Sequence, residues 1–166
     1  MFYRVTGMYM FRVFILVLLL LVGCSSQVRS IKTDALVPLA QNQGYLLLGV
    51  ETNSDLDYIL IDGPKRIRLS SEDLRTGTNY LLVDLPAGRY TIEKVRLSRY
   101  WKFELDDADN WQFNIDAQKI SYVGHFEFVS SGFWWNMFAR LELVNRSSEA
   151  LAFMEQSFPD TLSGFT

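Results

Sequence analysis

Chemistry that depends on thiols or imidazoles has little to work with here, because the 166 residues hold one cysteine and one histidine. A zinc site or a Ser/His/Asp triad around His125 would need partners that the sequence does not supply. His125 is therefore read as a surface residue on the polar face of its strand. Runs of glycine suited to cradling a nucleotide are missing too. Carboxylates are plentiful, but no spacing singles out a general acid and base. Catalysis is accordingly not expected, and no catalytic residue, metal or cofactor is assigned. Basic residues are outnumbered, 16 against 19 acidic, for a net charge of −3. That balance argues against nucleic acid as a partner and against electrostatic attraction to anionic lipid.

The apolar run over residues 13–22, VFILVLLLLV, is too short to span a bilayer. As a helix it would cover about 15 Å, roughly half the hydrocarbon core. Arg4 and Arg12 precede it and no acidic residue occurs among the first 23, which is the layout of a signal peptide. Met8 and Met10 are alternative starts that would leave Arg12 as the only leading charge. The run ends in Leu21-Val22-Gly23-Cys24, followed by Ser25-Ser26. This resembles the lipobox of bacterial lipoproteins: Leu, a small or aliphatic residue, Gly or Ala, then Cys. The resemblance implies cleavage between Gly23 and Cys24, a diacylglycerol on the Cys24 sulfur and, usually, a third acyl chain on the new amino group. Small residues let a peptidase reach the backbone, and only a thiol can form the thioether. One acyl chain binds a membrane marginally, whereas two or more hold it stably. The rival readings are an uncleaved anchor and an ordinary signal peptide with a chance cysteine, but the sole cysteine falls where the motif needs it. Ser25, rather than Asp, after Cys24 implies by the same resemblance an outer-membrane position facing the periplasm. In a cell with a single membrane, Cys24 would sit on its outer face.

Three parts follow: a leader over 1–23, a tether over 24–43, and a domain over 44–166. An acylated Cys24 leaves the domain without a thiol, so packing alone holds it together. In the tether SSQVRS is polar, and Pro38 and Gln41-Asn42-Gln43 interrupt later structure. Ile31, Leu36, Val37 and Leu39 are apolar enough to dock, so an ordered extended segment is the alternative. The domain opens with YLLLGV over 45–50, an uninterrupted apolar run that reads as a strand buried on both sides. Residues 58–61 and 67–69 predict a hairpin across Asp62-Gly63-Pro64, and 80–85 a strand with Leu81, Val83 and Leu85 on one face.

Residues 85–92, LPAGRYTI, combine a proline that sets φ, a glycine for the left-handed position and a tyrosine whose ring turns inward, leaving its hydroxyl to bond backbone. This turn resembles one that recurs in transthyretin-like (prealbumin-like) β-sandwich domains. Parity then changes between Tyr90/Ile92 and Val95/Leu97, which requires a bulge near Glu93-Lys94 or a change of sheet. Trp101, Phe103 and Leu105 mirror Trp111, Phe113 and Ile115 across 106–110, which predicts an aromatic-faced hairpin. Ile120, Tyr122, Gly124, Phe126 and Phe128 alternate against Ser121, His125 and Glu127. Residues 117–124, AQKISYVG, are similar to a pattern in a family of small bacterial envelope proteins of unknown function, with Gln118 where that pattern often has glycine. The last strand covers 136–145. A helix over 148–158 follows, capped by Ser147 or Ser148, with Leu151, Met154 and Phe158 on its apolar face and Pro159 as its stop. With no long amphipathic helix earlier, the expected fold is all-β: an antiparallel β-sandwich of the prealbumin or Ig kind, with seven or eight strands and a short C-terminal helix.

Two further groups stand out. Asp106, Asp107 and Asp109 are a dense acidic cluster able to offer oxygen ligands to calcium, but without EF-hand spacing they read as a solvated tip. Phe133-Trp134-Trp135 form a candidate binding surface, since consecutive strand residues cannot all enter one core; a cover by the C-terminal helix or the tether is the favoured reading. The expected function is that of a lipid-anchored envelope protein whose sandwich serves as an interaction or accessory module for an envelope protein partner. The alternatives are a carbohydrate or peptidoglycan reader using exposed tryptophan and, behind it, a hydrolase.

Overall fold

The structure is a computed structural model that describes residues 25–35, 38–105, 108–133 and 135–165. Residues 1–24, which include the expected leader and Cys24, the Leu36-Val37 pair of the expected tether, and the Asp106-Asp107 pair lie outside the described residues.

The fold is a β-sandwich. One sheet runs β10 (Asn136–Val144), β9 (Ile120–Phe133), β2 (Gln43–Thr52), β5 (Gly77–Pro86). The other runs β1 (Ser26–Val28), β4 (Ile67–Ser70), β3 (Tyr58–Asp62), β6 (Gly88–Arg96), with β7 (Lys102–Glu104) and β8 (Gln112–Ile115) both on the far edge of β6. Most neighbours are antiparallel, but β1 runs parallel to β4 and β2 parallel to β9. The core lies between the sheets. Leu46, Leu48 and Val50 of β2, Leu81, Val83 and Leu85 of β5, and Phe126 and Phe128 of β9 meet Ile59, Ile61, Ile67, Leu69, Tyr90, Ile92 and Val95.

A third layer covers the other face of the first sheet. Tyr45, Leu47 and Leu82 are buried there against Ala150, Met154 and Phe158, contributed by helix α1 (Ser147–Ser157) and the residue after it. Helix α2 (Pro159–Gly164) follows at once, so Pro159 ends one helix and opens the next, where its missing N–H costs nothing. The buried stripe of α1 is Ala150, Met154 and Phe158; Leu151, placed on that face by the i, i+3 pattern, is exposed. No serine caps α1. Arg146 holds the cap position, and its side chain makes no cap bond to the helix backbone.

Several local readings carry over. Tyr90 is fully buried, and its hydroxyl donates to the Pro86 carbonyl at 2.9 Å. The β3–β6 register slips between Leu60 and Ile61, opposite Lys94 and Ile92, so Glu93 is the bulged residue that turns Val95 back to the core. Gln118 takes φ 56°, and its side-chain amide donates to the Ala40 carbonyl at 2.7 Å. That bond offsets some of the strain of a left-handed non-glycine residue.

Two readings are corrected. β7 and β8 do not form a hairpin with each other; each pairs with its own stretch of β6, Lys94–Arg96 for β7 and Gly88–Thr91 for β8. Their alternation correctly placed Phe103 and Trp111 on the inner face, against Phe128 and Phe126, but alternation carries no information about the hydrogen-bonding neighbour. The second correction lies in β9. Its register with β2 slips so that Leu47 faces Tyr122 and Leu48 faces Gly124, leaving Val123 as an extra residue. Ile120 and Tyr122 therefore lie on the helix side, while Phe126 and Phe128 lie in the core.

Residues 25–43 lie on the domain for much of their length. Ser26–Val28 add a strand to β4, the Ile31 N–H donates to the Leu82 carbonyl at 2.8 Å, and Ser30 Oγ accepts from the Leu82 N–H at 3.0 Å. Asp73, buried, accepts from the Ser30 N–H at 2.8 Å and pairs with Lys32. Asp34 caps α2 by accepting from the N–H groups of Asp160 and Thr161 and from the Thr161 hydroxyl.

Met154→Ala should cost about 2–4 kcal/mol in urea unfolding, as expected for a buried side chain whose site cannot fully collapse. Leu151→Ala should stay within about 0.5 kcal/mol, as an exposed substitution does. Equal effects would place the helix differently on the sheet.

Candidate functional site

Two arrangements merit a functional reading, one enclosed and one open. The enclosed one surrounds His125. The slip at Val123 and the pairing of Gly49 with His125 put the imidazole on the helix side of the sheet, opposite Phe126. It packs against Gly49, where an added Cβ would lie 2.2 Å from Nδ1. Tyr80 meets it edge-on at 5.6 Å and is itself stacked on Phe153 of α1 at 4.7 Å. His125 is thus 0% exposed rather than at the surface. His125 and Glu127 do lie opposite Phe126 and Phe128, as alternation predicts, but the slip at Val123 brings Ile120 and Tyr122 to their side, and the helix roofing that side buries the imidazole.

Neither nitrogen of His125 makes a hydrogen bond. Glu51 Oε2 lies 3.9 Å from Nε2 but is drawn to Arg146, whose Nη1 is 2.9 Å away. Arg146 also pairs with Glu127 and, at 3.8 Å, with Glu149, while its backbone N–H donates to the Tyr122 hydroxyl at 2.9 Å. One guanidinium thus gathers three carboxylates at the start of α1 and fixes the helix to β2 and β9. Burial, reinforced by the nearby Arg146 charge, holds the His125 pKa below its ordinary value; Glu51, Glu149 and Glu127 oppose this without prevailing. The ring is wholly enclosed, and the ion pairs of Arg146 beside it tie the helical roof to β2 and β9. Among the described residues no group of three or more His, Cys, Asp or Glu is arranged to hold a metal ion. The side chains of Asp106, Asp107 and Asp109 lie outside the described residues.

The open arrangement is the far end of β9 and β10. β2 stops at Thr52, opposite Phe128, and the two strands continue past it as a ribbon. Asn53 clamps the ribbon's base: its Nδ2 donates to the Ser130 carbonyl at 2.7 Å, and its Oδ1 accepts the Ser130 N–H at 2.9 Å. At the tip Phe133 and Trp135 stack, with centroids 5.0 Å apart and planes 8° from parallel, at 68% and 63% exposure. Neither the C-terminal helices nor the 25–43 segment covers them, because both sit on the opposite half of the sheet. Trp134 lies outside the described residues.

Beneath the tip, a cleft of about 800 Å³ is lined by Leu97, Tyr100, Trp101, Gly132, Phe133 and Met137. Tyr100 is 74% exposed, and the Arg99 guanidinium sits 4.6 Å above its ring. Sequence reasoning singled out Phe133 and Trp135 but missed Tyr100 and Met137, whose proximity depends on how the β6–β7 loop folds beneath the ribbon. Arg146 with Glu51, Glu127 and Glu149 carried no sequence signal, since charges spread over three elements show no common spacing. Neither a protein-family model, nor a curated protein, nor a solved structure matches this chain.

A histidine kept neutral by the fold makes stability depend on pH. The unfolded chain takes up the proton near pH 6.5 while the folded one resists it. Stability should therefore be full above pH 6.5 and fall as the solution is acidified below it, before carboxylates titrate. Thermal melts from pH 7.5 to 5 should show this slope, and His125→Gln should flatten it. Retention of the slope in that variant would assign it to another group.

Proposed function

We propose that this chain is a lipid-anchored cell-envelope protein whose β-sandwich presents an aromatic hairpin to a protein partner of an envelope assembly, with no catalysis of its own. The observation that carries this reading is the stacked and exposed Phe133–Trp135 pair above the apolar cleft between the ribbon and the Leu97–Trp101 loop. Large aromatic side chains beside an arginine are the residue types that supply most binding energy at interfaces. A ribbon clamped at its base by Asn53 gives them a defined position, which lowers the entropy lost on binding.

The lipobox reading of Cys24 is compatible with this placement. β1 enters its sheet beside Ile67, at one end of the strands, with Ser25 just before it. The ribbon leaves beyond Thr52, at the end where β2 hands over to Tyr58 of β3 through residues 53–57. An acylated N-terminus and the aromatic tip would thus occupy opposite ends of the sandwich and would not compete. Ser25 in place of Asp supports an outer-membrane position. The rival with a specific observation behind it is a glycan reader, since exposed tryptophan beside a cleft also suits sugar stacking.

A photoreactive phenylalanine analogue at Trp135 should crosslink to one envelope protein in intact host cells. The same analogue at the exposed Glu155 of α1 should not, and Phe133→Ala should weaken capture. Saturable quenching of tryptophan fluorescence by peptidoglycan fragments, lost in Trp134→Ala and Trp135→Ala and without a protein adduct, would replace the protein partner with a glycan. Mass spectrometry of the host's own protein should find Cys24 acylated at the mature N-terminus. An unmodified thiol with the leader attached would remove the anchor.

A further inference from the structure

The edges of the two sheets are unequally protected. The free edge of β5 is taken by Ser30 and Ile31, which bond Leu82 on both its N–H and its carbonyl. β1 ends the second sheet with three residues, and β7 and β8 divide the opposite edge into pieces of three and four. β10 is different. It is nine residues long, carries no proline or glycine, and pairs on one side only among the described residues. A long unpaired edge is a template for another strand.

Which backbone groups of β10 face outward follows from β9. Ser130 directs its N–H and carbonyl at Asn53, and the Phe128 carbonyl accepts the Asn53 N–H, so even-numbered residues of β9 face β2. The odd-numbered ones then bond β10, and through the register they meet its even-numbered residues: Val129 with Arg140, Glu127 with Glu142. Met137, Ala139, Leu141 and Leu143 are left to offer their N–H and carbonyl groups at the free edge.

We infer that a second copy of this chain pairs with β10, antiparallel and centred on Leu141. An incoming strand must match odd residues with odd ones. Centring a self-pairing on Arg140 sets two guanidiniums face to face, and centring on Glu142 sets two carboxylates. Centring on Leu141 places Arg140 opposite the partner's Glu142 and, by symmetry, Glu142 opposite the partner's Arg140. The same register sets Phe138, exposed in the single chain, against the partner's Val144, and Ala139 against the partner's Leu143. Arg140 and Glu142 already lie 3.7 Å apart within one strand. Opposite positions that do not exchange hydrogen bonds bring side chains closer still, at a Cα spacing of about 4.5 Å. The contact is isologous and closes on itself, joining two four-stranded sheets into one. Its two-fold axis stands perpendicular to the sheet, so the two copies run in opposite directions along the joined sheet and their N-termini leave at opposite ends of the strands.

The test is the mass of the full chain, expressed in its host and purified in detergent, by density-matched sedimentation equilibrium. A dimer is expected. Arg140→Glu and Glu142→Arg should each raise its dissociation constant roughly tenfold, as two cross-strand attractions become repulsions. The double variant Arg140→Glu with Glu142→Arg, which restores the pairing, should return it to the original value. Far-UV spectra should be unchanged throughout, since both residues are exposed. A monomer at all concentrations would overturn the inference, as would a dimer indifferent to the single exchanges. A dimer lost only in Phe133→Ala would place the contact at the ribbon tip instead and would overturn it equally.

Discussion

Strand β2 has no side that faces water, and the layering of the molecule follows from that constraint. From Gly44 to Val50 every residue is buried, with β5 and β9 on its flanks. Leu46, Leu48 and Val50 are covered by the second sheet, as in any sandwich. Tyr45 and Leu47 point the other way, and a leucine left in water instead of buried costs about 1.5–3 kcal/mol. Covering them requires another layer, supplied by α1, α2, Ile31 and Leu39. The C-terminal helices and the segment before β2 are therefore part of the folding unit.

The roof has a limited length. Eleven residues of helix extend about 16 Å, whereas the fourteen of β9 extend about 46 Å. At the margin of the roof charged groups sit half-buried, and beneath it His125 is buried outright. Arg146 unites Glu51, Glu127 and Glu149, and His125 stays uncharged, since an imidazolium with no hydrogen-bond acceptor in reach is costly to bury. Beyond the roof, the same sheet runs on as an open ribbon with aromatic side chains in water. One end of β9 is thus roofed and the other left in water.

This division bears on how the exposed end can be used. The base of the ribbon is held by the Asn53 side-chain amide, which bonds the Ser130 N–H and carbonyl, so its tip projects without needing a core of its own. The tip and the bare edge of β10 lie next to each other but present different chemistry: stacked rings at one, a row of unpaired peptide groups with alternating charge at the other. A partner protein and a second copy of the chain would therefore not compete for the same atoms.

Much of the local structure was legible in the residues themselves. The LPAGRYTI turn, the inward Tyr90, the bulge at Glu93 and the double-sided burial of YLLLGV rest on steric limits and on the two-residue period of a strand, which act within a few positions. The bulge at Val123 escaped because tyrosine and isoleucine suit either face, so the parity change left no mark on the pattern. Alternation assigns a side chain to a face, but it does not say which strand lies alongside or what closes over that face. For this reason the separate pairing of β7 and β8 with β6, the enclosure of His125 and the exposure of Phe133 and Trp135 were decided by tertiary structure alone: each depends on hydrogen bonds and packing between segments far apart along the chain.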